Sequence, residues 1–140
     1  MEKKVTFSLK QIIGFLAFVL GLHFLATFNY WYWTYTWFDI PMHFLGGVWV
    51  AMVYFWINAK VEILNSEFNK FPKWFPDLLF ILSFVALVGV FWEFYEYGFD
   101  FLNGKTGMFQ GSPADTMMDL LCDLLGGTTV FAIFYRKFNK

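Results

Sequence analysis

Four long apolar stretches, each near the length needed to cross a bilayer, constrain this chain more than any other feature. A transmembrane helix needs about 20 predominantly apolar residues. The first stretch, IIGFLAFVLGLHFLATF from Ile12 to Phe28, follows Lys3, Lys4 and Lys10 and holds no charge, only His23. It exceeds the usual signal-peptide core of about 7–15 residues and lacks a small-x-small cleavage site, so it is expected to stay as a span. A second begins at Asp39–Ile40 and runs to Asn58, with Pro41 suited to a first helical turn. The third starts near Asp77 and continues through Glu93 and Glu96. The fourth starts near Asp115 or Thr116 and runs to Tyr135, before the tail Arg136-Lys137-Phe138-Asn139-Lys140. Between the first two lies Tyr30–Phe38, a Trp/Tyr run of the kind found at membrane–water interfaces.

Composition excludes the alternatives. Of 140 residues, 59% are hydrophobic and 15% charged; soluble domains average about 45–50% and about 25%. The 10 Lys+Arg against 11 Asp+Glu form no basic cluster, so nucleic acid is not an expected partner. A single cysteine excludes a disulfide framework and a cysteine zinc site. The expectation is an all-α, polytopic membrane protein. It is one transmembrane domain over 1–140, a four-helix bundle with spans of about 10–30, 40–58, 77–99 and 115–135.

The basic residues orient that bundle. With four spans, Lys3, Lys4, Lys10, Lys60, Lys70, Lys73, Arg136, Lys137 and Lys140 share one side of the membrane, and only Lys105 lies on the other. The positive-inside bias then predicts both termini cytoplasmic, N-in and C-in, in a multi-pass protein of a prokaryotic cytoplasmic membrane.

That topology gathers the acids in the opposite, outer half. Asp39 and His43 open span two, Glu93, Glu96 and Asp100 close span three, and Asp115, Asp119 and Asp123 open span four. His23 falls in the same half. Steps of three and four put each set on one helical face. At about 1.5 Å per residue, Asp123 lies roughly 12 Å deeper than Asp115. Carboxylates at such depth cost several kcal/mol unless paired, protonated, metal-bound or lining a wet cavity. His43, Glu93, Glu96, Asp119 and Asp123 are therefore the candidate catalytic and metal-binding residues. Asp39, Asp115, Gln110, Asp100 and His23 form a secondary set; Asp39 and Asp115 also read as helix N-caps, His23 as a packing residue and Cys122 as a small buried hydrophobe.

Gly46–Gly47 and Gly126–Gly127 follow His43 and Asp123 by three and four residues, and small residues let transmembrane backbones approach. The segments Asp39–Gly47 and Asp119–Gly127 also align, D-x-x-x-H-F-L-G-G against D-x-x-x-D-L-L-G-G. This suggests two repeated two-helix units about an axis along the membrane normal.

At these residues the chain resembles the YjdF-like membrane proteins and, more distantly, the VanZ-like family. The shared elements are Asp39-x-x-x-His43-x-x-Gly46, Trp92-Glu93-x-x-Glu96, and Gln110-Gly111 leading into Asp115-Thr116-x-x-Asp119. The likeness covers about 39–127. The VanZ-like pattern carries an Arg before the Asp pair and an Asn near the last Gly; here Ser112 and Pro113 occupy the Arg region and Asp123 precedes Gly126. The resemblance implies a small helical membrane protein, with VanZ-like members associated with glycopeptide-antibiotic tolerance; it carries no settled chemistry.

Three functions compete. An oxygen-rich set from three helices suits a divalent metal such as Mg²⁺, Mn²⁺, Ca²⁺ or Zn²⁺, and hence a metal-dependent hydrolase or transferase acting on a lipid or envelope substrate. A proton- or ion-coupled transporter or a ligand-binding protein is the alternative; it would need a homodimer and polar groups in the inner half, where only Asn58, Ser83, Thr128 and Thr129 stand out. The third is a non-catalytic scaffold whose polar cluster locks helix packing. No phosphate loop, dinucleotide fingerprint or HExxH is present. The Gly-rich segment Asn103–Pro113 is the expected lid.

Overall fold

The computed structural model describes residues 7–61, 72, 74–104, 109 and 111–138. They form five helices: α1 (Leu9–Phe28), the short α2 (Trp31–Thr34), α3 (Asp39–Val61), α4 (Trp74–Leu102) and α5 (Pro113–Phe138). Four of these, all but α2, are long and apolar enough to cross a membrane, so the chain is an all-helical, multi-pass membrane protein. No strand occurs among the described residues. The bilayer offers no water to backbone amides, which leaves helices as the way to satisfy them within each span.

Local chemistry sets the helix ends. Ser8 caps α1 through a reciprocal box: Gln11 N–H donates to Ser8 Oγ at 3.3 Å, and Ser8 N–H donates to Gln11 Oε1 at 2.8 Å. The chain leaves α1 through Tyr30, whose φ of 59° turns it sharply into α2. Gly104, with φ 62°, ends α4 in the left-handed conformation that costs glycine little. At the start of α5 the Asp115 N–H donates to Ser112 Oγ at 3.3 Å. Ser112 thus supplies the capping oxygen expected of Asp115, and Asp115 sits inside the first turn.

Contacts at both ends fix the helix directions. Asp39 and His43 at the start of α3 lie near Asp119 and Asp123 at the start of α5. At the far end Phe55 stacks on Phe134 with centroids 4.9 Å apart. Helices α3 and α5 therefore run parallel, and theirs is the most extensive contact in the bundle. Helix α4 runs antiparallel to both, placing Phe84 beside Tyr54 and Glu93 and Glu96 near His43. Helix α1 packs chiefly on α3, fastened by Trp49 Nε1–H donating to the Ile12 carbonyl at 3.2 Å, and buries only Ile12 and Ala26. The parallel α3–α5 pair is what a two-unit repeat requires, but α4 is held by two helices where α1 is held mainly by one.

Glycine determines how close α3 and α5 come. A Cβ on Gly47 would fall on the Asp123 carbonyl, and one on Gly126 would fall on the Phe44 carbonyl. Without a hydrophobic driving force between helices in lipid, such close backbone contact supplies the van der Waals attraction. Away from the acids the bundle is closed by an apolar cluster of Val50, Ala51, Tyr54, Ile81, Val85, Val130 and Phe131. One half of the molecule is thus mainly hydrocarbon packing, and the other holds the buried cluster of His43 and the carboxylates.

Candidate metal centre

His43 is the centre of the polar half. It follows Asp39 by one turn of α3, and its ring is 6% exposed, enclosed by α4 and α5. Its Nε2 lies 3.7 Å from Asp39 Oδ1 and 3.9 Å from Asp119 Oδ1, while its Nδ1 lies 3.5 Å from Asp123 Oδ2. Two triads bring ligand-type atoms within 4.8 Å of one another: Asp39, His43 and Asp119, and His43, Glu93 and Glu96. All these residues are buried except Asp39, which is half-buried.

Glycines on two sides make room for Asp123. A Cβ on Gly89 would come within 2.6 Å of Asp123 Oδ2, and one on Gly46 would be 3.7 Å from Asp123 Oδ1. The carboxylate is thereby held in a slot between α3 and α4, facing the imidazole. Asp123 belongs to neither triad; it lies on the opposite ring nitrogen from Asp39 and Asp119.

Glu96 accepts a hydrogen bond from Trp92 Nε1–H at 2.8 Å, one turn earlier on α4. His23 of α1 faces the Trp92 ring edge-on with centroids 6.4 Å apart, and its Nδ1 lies 2.8 Å from Tyr32 Oη. Burial, then the charges of Asp39 and Glu96, push the Tyr32 phenol above its ordinary range. Tyr32 is thus a neutral hydroxyl at the edge of the site. Singling out residues by charge missed it, because it reads as one more interfacial aromatic; its position just before Asp39 was the available signal. His23 is a hydrogen-bonded neighbour of that hydroxyl and lies outside both triads.

The remaining candidates separate. Asp100 is buried, but its two carboxylate oxygens accept the Phe109 N–H at 3.2 and 3.1 Å. It holds Phe109 at the end of α4. Phe109 in turn packs on Phe99 at 4.9 Å and on Trp33 at 6.2 Å, so the two connections at this end of the bundle meet. Asp115 is exposed, one turn beyond the buried part of its stripe. Gln110 lies outside the described residues.

In the other half, the Thr128 and Thr129 hydroxyls donate to the Leu124 and Leu125 carbonyls of their own helix, and Ser83 is exposed. Asn58 Oδ1 and the Tyr54 hydroxyl are also buried in this half, without a hydrogen bond among the described residues, while the His43 cluster lies at the other end.

Residues 1–140 match the family model described as "Predicted membrane protein (DUF2238)", the family of the YjdF-like proteins; the match does not support the VanZ-like likeness. No curated protein and no solved structure matches the chain. With the match spanning its whole length, the chain belongs to the DUF2238 family of predicted membrane proteins.

Proposed function

We propose that the His43 cluster binds a divalent metal ion and that the protein is a metal-dependent hydrolase or transferase acting on a lipid or envelope substrate from the outer leaflet. The observation that carries this reading is the spacing around His43. Its nitrogens stand 3.5–3.9 Å from three carboxylates, longer than direct N–H···O bonds of about 2.7–3.2 Å. Ligands about 2.1 Å from a shared cation are separated from one another by about 3.0–3.4 Å in octahedral or tetrahedral geometry. The ligand-type atoms of each triad lie within 4.8 Å of one another, so an inward shift of the side chains of about 1 Å would bring them to that spacing.

Each residue then has a role. His43 Nε2 with Asp39 and Asp119, or His43 with Glu93 and Glu96, would hold the ion. Asp123 on Nδ1 fixes the tautomer and orientation of the ring, as carboxylates commonly do behind a ligating imidazole. Trp92 holds Glu96 in place. One imidazole among carboxylates is a donor set that both Zn²⁺ and Mn²⁺ accept. When bound, such an ion supplies an activated water or a polarised ester or phosphoryl oxygen. Tyr32, held neutral at the rim, can donate a hydrogen bond to a bound group.

The outward orientation is supported by the lysines and Arg136 on the other side. For the transporter alternative the apolar half offers the buried Asn58 and Tyr54 polar atoms, while its threonine hydroxyls are turned onto their own helix. A scaffold role predicts that the cluster is filled by its own hydrogen bonds and takes up no ion.

Metal content of protein purified in mild detergent is the test. We expect Zn²⁺ or Mn²⁺ near stoichiometric amounts in the wild type and loss in His43→Ala that is not seen in Asp115→Asn. Equal metal in His43→Ala and wild type, or none in either after loading, ends this reading.

A further inference from the structure

A groove of about 260 Å³ opens on the side of the bundle between α4 and α5, lined by Val90, Glu93, Phe94, Tyr97, Thr116 and Leu120. It lies within the membrane-spanning stretches of both helices, in the half that holds His43. Its lining is hydrocarbon and aromatic apart from Glu93 and Thr116. Phe94 and Tyr97 on its rim are exposed, 66% and 60%, so the groove faces the bilayer.

Glu93 belongs both to this groove and to the His43–Glu93–Glu96 triad. A molecule lying in the groove would end against a residue of the candidate metal centre. The bilayer supplies amphiphiles at this depth, and an apolar slot with the buried Glu93 in its wall matches an acyl chain whose polar group meets the cluster when the Glu93 side chain moves aside.

From this continuity we infer that the α4–α5 groove is the lateral access site for a substrate of the acyl-chain lipid class, whose chain lies along Val90, Phe94 and Leu120 while its head group reaches the His43 cluster past Glu93. The inference rests on the proposed metal-centre reading for its chemistry but adds the substrate class and the route. Lipid is then drawn from the leaflet without crossing the connections at the end of the bundle.

The full chain is reconstituted in vesicles of phosphatidylglycerol and phosphatidylethanolamine containing a trace of phospholipid with a photoactivatable diazirine in its acyl chain. Labelled residues are mapped by peptide mass spectrometry, and metal is measured on the same samples. We expect labelling at Val90, Phe94 and Leu120 several-fold above that at Phe18 and Phe24, which are exposed on α1. Val90→Trp, which fills the groove, should lower groove labelling several-fold, with metal content and α1 labelling unchanged. Glu93→Gln should lower metal content while groove labelling persists. Uniform labelling of groove and α1, or groove labelling unmoved by a folded Val90→Trp, overturns the access site. Absence of metal alongside selective groove labelling overturns the metal reading and leaves the lipid site standing.

Discussion

Gly47 of α3 lies directly against the main-chain carbonyl of Asp123 on α5, with no room for a side chain between them. This contact sets the distance between the two parallel helices and so the position of Asp123 relative to His43, one turn earlier on α3. The small residue and the polar group are parts of one arrangement.

Gly47→Ala and Gly126→Ala should therefore each destabilise the bundle by about 1–3 kcal/mol, the usual cost of overpacking, because rigid backbone is what the new methyl meets. Gly46→Ala, whose nearest neighbour would be Asp123 Oδ1 at 3.7 Å, should be tolerated. Thermal unfolding in one detergent compares the three. Similar loss in all of them would mean that the close approach does not govern packing.

Asp119→Asn and Asp115→Asn remove the same charge one turn apart on the same helix. Asp119 is buried 3.9 Å from His43, while Asp115 is exposed. We expect the first to weaken Zn²⁺ or Mn²⁺ affinity by about 10-fold or more and the second to leave it within error. Titration calorimetry on the purified protein reads both. Matching affinities in the two variants would place the ion elsewhere.

Tyr32→Phe deletes the hydroxyl that lies 2.8 Å from His23 Nδ1 and should cost about 1 kcal/mol. The pH dependence gives a second readout. In the folded protein the phenol is held above its ordinary value of 10.0 by burial and by the charges of Asp39 and Glu96. Above pH 10 the unfolded chain releases this proton while the native state keeps it, so stability falls as pH rises. Tyr32→Phe should flatten that alkaline decline in a series of denaturation curves; an identical slope would remove Tyr32 from the account.

Asp100→Asn weakens the acceptor that holds the Phe109 N–H through both oxygens. A hydrogen bond to a charged group contributes about 1.5–3 kcal/mol, here to the anchoring of a local segment. Limited proteolysis of protein in nanodiscs should cut between 103 and 112 faster in this variant, with the melting temperature of the bundle little changed. Unaltered cutting would show that Phe109 is held by its ring contacts with Phe99 and Trp33 alone.

The membrane-spanning helices were legible because each announces itself locally: length and apolarity are properties of a single segment, and lipid accepts little else. The convergence of acids was also legible in outline, since helical periodicity and the alternation of spans place Asp39, Glu93, Glu96 and Asp119 in one half without knowledge of packing. Asp100 and Asp115 show where that reasoning stops. Both fit the stripes by spacing, yet one is engaged by the Phe109 backbone and the other extends past the buried stretch. Periodicity gives the face of a helix but not the height at which its neighbours end.

The sequence by itself determined that this chain lives in a bilayer as helices and that its charges are partitioned between the two halves, because burial of apolar length and the cost of charge in lipid act on each segment alone. Only the tertiary structure decided that His43 is the centre, that Asp123 sits on the opposite ring nitrogen from Asp39 and Asp119, and that Tyr32 joins the rim. Those relations depend on how closely α3, α4 and α5 approach and on their rotation about their axes. Approach and rotation are set by glycines of one helix meeting the backbone and carboxylate of another, contacts between residues tens of positions apart.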